Sequence, residues 1–182
     1  LCWVFASLNP IYKTTPQCSG ATVSKLSPLE LHALSLGKLL GNLQTIETGT
    51  RLFLAKADMI PELKKGDWAE LTPLTNNLDL RRVLEKYNKA AKNCRVVIDR
   101  IVNLRDALAH GRVFGRGPIQ NVHSLRLLKF KRKAEAKKVQ VEIAEEMTEG
   151  WFKENIEFLL NSLEKIRTAL DWDKTDLSIK KP

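Results

Sequence analysis

LRDALAHGRVFGRGP, Leu104–Pro118, is where the helical pattern of this chain stops. Up to that point Val97, Ile101, Leu104 and Leu108 recur at spacings of four, three and four, the period of a helix with one buried face. Gly111 then falls where a helix C′ residue is expected, and Gly115, Gly117 and Pro118 oppose any continuation. The spacing therefore predicts a helix that ends at Gly111.

On the N-terminal side, Ser27, Pro28 and Glu30 make a helix-start signature, with Ser as N-cap, Pro at the first helical position and Glu closing a capping box. Leu36, Leu39, Leu43, Ile46 and Phe53 continue as one apolar stripe to about Ala57, with one turn skipped at Thr50. Gly37 and Gly41 lie one turn apart on this helix, a spacing that suits either a close helix crossing or simple tolerance. Residues 59–77 hold Pro61, Gly66, Pro73 and Asn76–Asn77 without periodicity and read as a loop. Leu80, Leu84, Tyr87 and Ala91 form the next helical stripe, and Lys92–Asn93 either breaks or bends the chain before the motif helix.

On the C-terminal side the period changes to two. Val139, Val141 and Ile143 alternate with Gln140, Glu142 and Ala144, which predicts a β-hairpin with Ser124–Lys133 as its first strand and a turn at Ala134–Ala136. Thr148 then caps a helix whose stripe is Phe152, Ile156, Leu159, Leu163, Ile166 and Leu170. The expected fold is mainly all-α: an antiparallel bundle of about four helices with a β-hairpin inserted at about 123–146, before the last helix. The helical domain is expected over 27–173, after an N-terminal extension (1–26) and before a polar tail (174–182).

With 182 residues, 43% hydrophobic and 28% charged, the chain suits one soluble globular domain. Its formal charge of +9 favours polyanionic partners such as nucleic acid. Cys2, Cys18 and Cys94 are odd in number and lack paired spacing, so neither a disulfide framework nor a zinc site is expected, and a reducing cytoplasm fits best. The early apolar run LCWVFASL is too short to cross a bilayer and follows no basic region, so no anchor is expected.

Within the quoted stretch, Arg105 and His110 are the residues with chemistry to offer. At roughly 100° per residue, Ile98, Val102, Arg105 and Ala109 form a second stripe beside the core stripe, with Asp106 and His110 on its shoulder. Another helix or a second subunit would have to cover it. A twofold copy would bring both sets of Arg105, Asp106 and His110 into one groove. Asp106 precedes His110 by four residues, close enough to orient the imidazole. A plain surface Asp–His pair, favoured by the helix C-terminus, explains the same spacing.

Arg105–His110, RDALAH, is similar to the signature of the HEPN superfamily, in which Arg and His are separated by four to six residues and a polar residue follows the Arg. The order of elements from about Ser27 to Asp171 resembles the family as well, whereas the basic hairpin is not a general family feature. The resemblance implies a metal-independent endoribonuclease without a cofactor, of the toxin or antiviral-defence kind, acting as a homodimer on RNA and in some settings held by an antitoxin. Arg105 would clamp phosphate, His110 would exchange protons near neutrality and Asp106 would orient it. A non-catalytic HEPN-like module that binds RNA or protein, and a helical dimerisation scaffold, are the alternatives.

Positive charge follows the motif at Arg112 and Arg116 and crowds the hairpin at Lys129, Lys131, Arg132, Lys133, Lys137 and Lys138. These residues form either an RNA-binding surface or a solvated loop. Phe130 is the only aromatic within that hairpin cluster, so no stacking platform is expected. His32 and His123 read as surface histidines, and Trp68, Trp151 and Trp172 as packing or helix-end residues. A nucleotide loop at Gly111, Gly115 and Gly117 is excluded, because such loops follow a strand and carry a Lys.

Overall fold

The computed structural model describes residues 27–57, 62–116, 124–135 and 138–170, with backbone alone for Pro28 and 132–135. The N-terminal extension, the polar tail, His123, Lys137 and Trp172 lie outside the described residues. Seven elements follow in order: α1 (Pro28–Ala55), α2 (Leu80–Ala90), α3 (Ile98–His110), β1 (Arg112–Arg116), β2 (Ser124–Glu135), β3 (Lys138–Met147) and α4 (Glu149–Leu170).

The mainly helical bundle with an inserted hairpin does not form. Four helices pack with a three-stranded antiparallel sheet of order β1-β2-β3, which makes the fold mixed α and β. The strand absent from the sequence reading is β1, RVFGR, whose two glycine-flanked ends resemble a breaker. Its strand character comes from pairing: Arg112 lies opposite Leu128, Phe114 opposite Arg126 and Arg116 opposite Ser124. A glycine such as Gly115 weakens a strand in isolation, and the ladder to β2 offsets that cost.

The last helix also runs differently from the expected bundle. His32 near the start of α1 meets Phe152 near the start of α4 at 5.8 Å between ring centroids. Toward their C-terminal ends, a Cβ on Gly49 would lie 3.0 Å from Ile166 Cγ2. The two helices therefore run parallel, against the antiparallel expectation.

Local chemistry accounts for the helix limits. Ser27 and Glu30 close the predicted capping box, Glu30 N–H donating to Ser27 Oγ at 3.3 Å and Ser27 N–H to Glu30 Oε2 at 2.7 Å. The Ser27 backbone N–H, and after it the Ser27 hydroxyl, hold the Glu30 carboxyl below its ordinary range. Thr50, the skipped turn, is fully buried and its hydroxyl donates to the Ile46 and Glu47 carbonyls, so it fills the core without an orphaned polar group. Lys92–Asn93 lies in a true break between α2 and α3. Asn88 clamps that turn through both the N–H and the carbonyl of Val96, and the Tyr87 hydroxyl donates to Cys94 O at 3.0 Å. Burial pushes the Tyr87 phenol well above its ordinary range. As a result Val96 is buried, while Val97, read as a core position, is the exposed N-cap of α3.

The core joins the four helices and the sheet. Leu39, Leu43 and Ile46 of α1 meet Leu84 and Tyr87 of α2, Ile101 and Leu104 of α3, and Leu159 and Leu163 of α4. Leu125, Leu127 and Met147 close it from the inner face of the sheet. Each such side chain contributes about 1.5–3 kcal/mol on burial. Gly37 and Gly41 take no part, since nothing lies within 4 Å of a Cβ built on either.

The loop after α1 is held by one cation. Arg51 donates to Glu47 Oε1 at 2.9 Å and reaches the carbonyls of Pro73 (3.0 Å), Asn76 (3.2 Å) and Leu78 (2.7 Å). Arg51→Ala leaves these partly buried acceptors unmatched and is expected to cost about 1–2 kcal/mol, read as a lower urea midpoint at unchanged slope. Arg51→Lys, without the fork, recovers only part of it.

Candidate functional site

On α3 the buried positions are Ile101, Val102, Leu104 and Ala107. Arg105, Ala109 and His110 are exposed and Asp106 is half-buried. The motif side chains are therefore kept out of the core, as the spacing predicts. Val102 was assigned to a second stripe awaiting a cover, yet it is 9% exposed and belongs to the chain's own core. That stripe supplies no reason for a second subunit at Val102.

Asp106 points elsewhere than expected. Its Oδ1 lies 3.2 Å from Arg105 Nη1, with both side chains open to solvent. Among the described residues no hydrogen bond joins it to His110, so its observed partner is the guanidinium. In high dielectric such a neighbouring pair is weak, about 0–1 kcal/mol, and free to open for an anionic ligand.

Gly111 ends the helix without a left-handed turn. Its backbone is extended, φ −78° and ψ 172°, and its N–H donates to Ala107 O at 2.8 Å. Space makes it glycine: a Cβ would run into the Ala107 carbonyl oxygen and lie 2.8 Å from Leu127 Cδ1. This close approach lets the chain pass from His110 into β1 within two residues.

The basic residues divide between the two sides of the sheet. Directly opposed residues share a face, which puts Arg112, Phe114, Arg116, Arg126, Leu128 and Phe130 on the solvent side and Leu125, Leu127 and Lys129 on the core side. Lys129 is 19% exposed and ion-paired to Glu142 at 3.2 Å, which removes it from any open cationic surface. Arg116 faces Glu146 at 3.6 Å. Arg112 holds its guanidinium 5.7 Å from the centre of the Phe130 ring. Lys131 and Lys138 are exposed near the far end of the hairpin. Arg132 and Lys133 lie on the β2 backbone, beyond the register shifts that follow Lys129 and Phe130. Ala134 and Glu135, expected in the turn, belong to β2, which runs to Glu135; Ala136 lies outside the described residues.

Two further residues, Phe114 and Arg126, join the surface without having been singled out. The alternation of Arg112, Phe114 and Arg116 in RVFGR was the signal for the first, hidden by its flanking glycines. Elsewhere, His32 is half-buried with an unpartnered Nε2, unlike the surface residue expected. Trp68 is 99% exposed among the described residues, whereas Trp151 sits edge-on to Phe152 as a helix-end residue. Among the described residues no group of three His, Cys, Asp or Glu side chains could hold a metal ion. No helix among them is long and apolar enough to cross a membrane. No known family model, curated protein or solved structure matches the chain.

Proposed function

We propose that the chain is a metal-independent endoribonuclease of the HEPN kind, acting in a toxin or antiviral-defence setting and as a homodimer. The observation that carries this reading is the exposure of Arg105 and His110 together at the end of a helix whose core positions are filled by other residues. Neither side chain packs the core, and both face the solvent from which a phosphodiester arrives. Cleavage needs a base for the ribose 2′-hydroxyl, an acid for the leaving 5′ oxygen and charge on the phosphate oxygens. His110 exchanges the proton, Arg105 stabilises the added phosphate charge, and Asp106 presets the guanidinium it already touches. A second copy supplies the second imidazole; the exposed Leu29, Leu34 and Leu40 of α1 are apolar surface suited to such a contact.

The test is incubation of the purified chain with single-stranded RNA, with and without chelator. Equal cleavage in both, leaving 2′,3′-cyclic phosphate ends, is expected. Absence of cleavage, or cleavage abolished by chelator, sinks the proposal. The exposed Arg105–Asp106 pair, which leaves His110 without a carboxylate to orient it, favours one second reading: a non-catalytic RNA-binding module, which binds the same RNA and leaves it intact.

A further inference from the structure

A three-stranded sheet with one packed face ordinarily turns polar residues outward. Here the outward face is different. Phe114 is 44% and Val141 47% exposed, and Leu128 and Phe130 are half-buried beside them. The register puts all four on the side opposite Leu125 and Leu127. Interleaved with them are three arginines, Arg112, Arg116 and Arg126. Among the described residues the face carries one carboxylate, Glu146, occupied by Arg116 and by the Ser124 hydroxyl at 3.0 Å. Among the described residues no carboxylate lies within ion-pair distance of Arg112 or Arg126.

Aromatic rings between unpaired arginines suit one class of partner. Bases stack on ring faces regardless of sequence, and guanidinium groups meet the phosphates between them. A protein partner or a second copy would find apolar area here, but a copy of this chain brings the same excess of positive charge, +9 in all. The two rings are separated along β2 by the four residues from Arg126 to Phe130, roughly 13 Å at strand rise, room for separate bases. Arg112, held over Phe130, is preorganised at the same surface.

We propose that the solvent face of the sheet is a docking surface for single-stranded RNA, with Phe114 and Phe130 stacking bases and Arg112 and Arg126 contacting phosphate. The choice of RNA rests on the proposed function above; the stacking and charge argument does not. Because β1 begins two residues after His110, a strand bound here is delivered to the end of the motif helix.

The test measures anisotropy of a labelled single-stranded RNA on the full chain across a salt titration, in a His110→Ala background so that the probe survives. Phe114→Ala should weaken binding on the order of tenfold. Phe114→Leu should do the same, because it keeps apolar area and removes the ring. Arg126→Gln and Arg112→Gln should each weaken binding and flatten the salt slope by about 0.7. Lys165→Gln, an exposed cation on α4, serves as control and should match the parent. Circular dichroism confirms that each variant is folded. Parent-like binding by Phe114→Leu, or duplex RNA bound as tightly as single strands, overturns stacking. Parent-like binding by both arginine variants overturns the phosphate contacts. A change in sedimentation with unchanged RNA affinity would make the face a contact between copies and overturn the proposal. RNA that binds through this face and is never cut by the chain with His110 intact would refute the endoribonuclease and leave this surface standing.

Discussion

His110→Ala is expected to lower RNA cleavage by roughly 10²–10⁴-fold, the usual loss on removing an acid–base group. The imidazole is exposed at the end of α3, so stability should change by no more than about 0.5 kcal/mol. Arg105→Ala should fall in the same range, because a phosphate clamp acts mainly where transition-state charge develops. Arg105→Lys keeps the charge but loses the fork and should recover only part of the rate. Asp106→Ala should do least harm, since Asp106 touches Arg105 rather than the substrate. Sedimentation and single-turnover cleavage on a folded Arg105→Ala, His110→Ala double variant give the decisive comparison. Cleavage at the parent rate would remove both residues from the chemistry.

The second large effect concerns the hinge between motif and sheet. Gly111→Ala places a methyl group against the Ala107 carbonyl oxygen, against Leu127 Cδ1 at 2.8 Å and against Leu128 O at 3.2 Å. Two of these three atoms are backbone and cannot turn aside. The cost should therefore reach about 3 kcal/mol, the upper end for overpacking, and the strain should fall on the β1–β2 ladder and on the seat of His110. Gly37→Ala and Gly41→Ala are the natural contrast. Nothing lies within 4 Å of either new methyl, so each should stabilise α1 by roughly 0.5–1 kcal/mol. Urea midpoints of the three variants check the sign. A neutral Gly111→Ala would contradict the tight junction, and a loss at Gly37 would mark that face as a contact surface.

Much of the helical framework is legible in the residues because its signals are local. Ser27, Pro28 and Glu30 announce α1 by hydrogen bonds made within one turn. The stripe of α4 and the placement of Arg105 and His110 outside the core follow from a period of 3.6, which no distant contact is needed to define. Other readings fail where a residue's state depends on a partner far along the chain. Val102 reads as a second stripe and is buried by the chain itself. Gly37 and Gly41 suit either a helix crossing or simple tolerance by spacing alone, and the structure decides for tolerance, the close helix approach being at Gly49 against Ile166.

The sheet is the clearest instance. RVFGR has five residues, one of them glycine, and too little local preference to be a strand alone. Pairing with β2 makes it one, and pairing alone decides that Phe114, Arg126 and Phe130 share a face while Lys129 turns inward to Glu142. A cluster of basic residues in sequence is thereby split between solvent and core. The capped start of α1, the stripe of α4 and the exposed motif were determined by the sequence itself, since each rests on contacts within a few residues or on the helical period. The third strand, the parallel run of α1 and α4, and the aromatic and cationic sheet face were decided by tertiary structure, because strand pairing is non-local and the register sets which side each residue occupies.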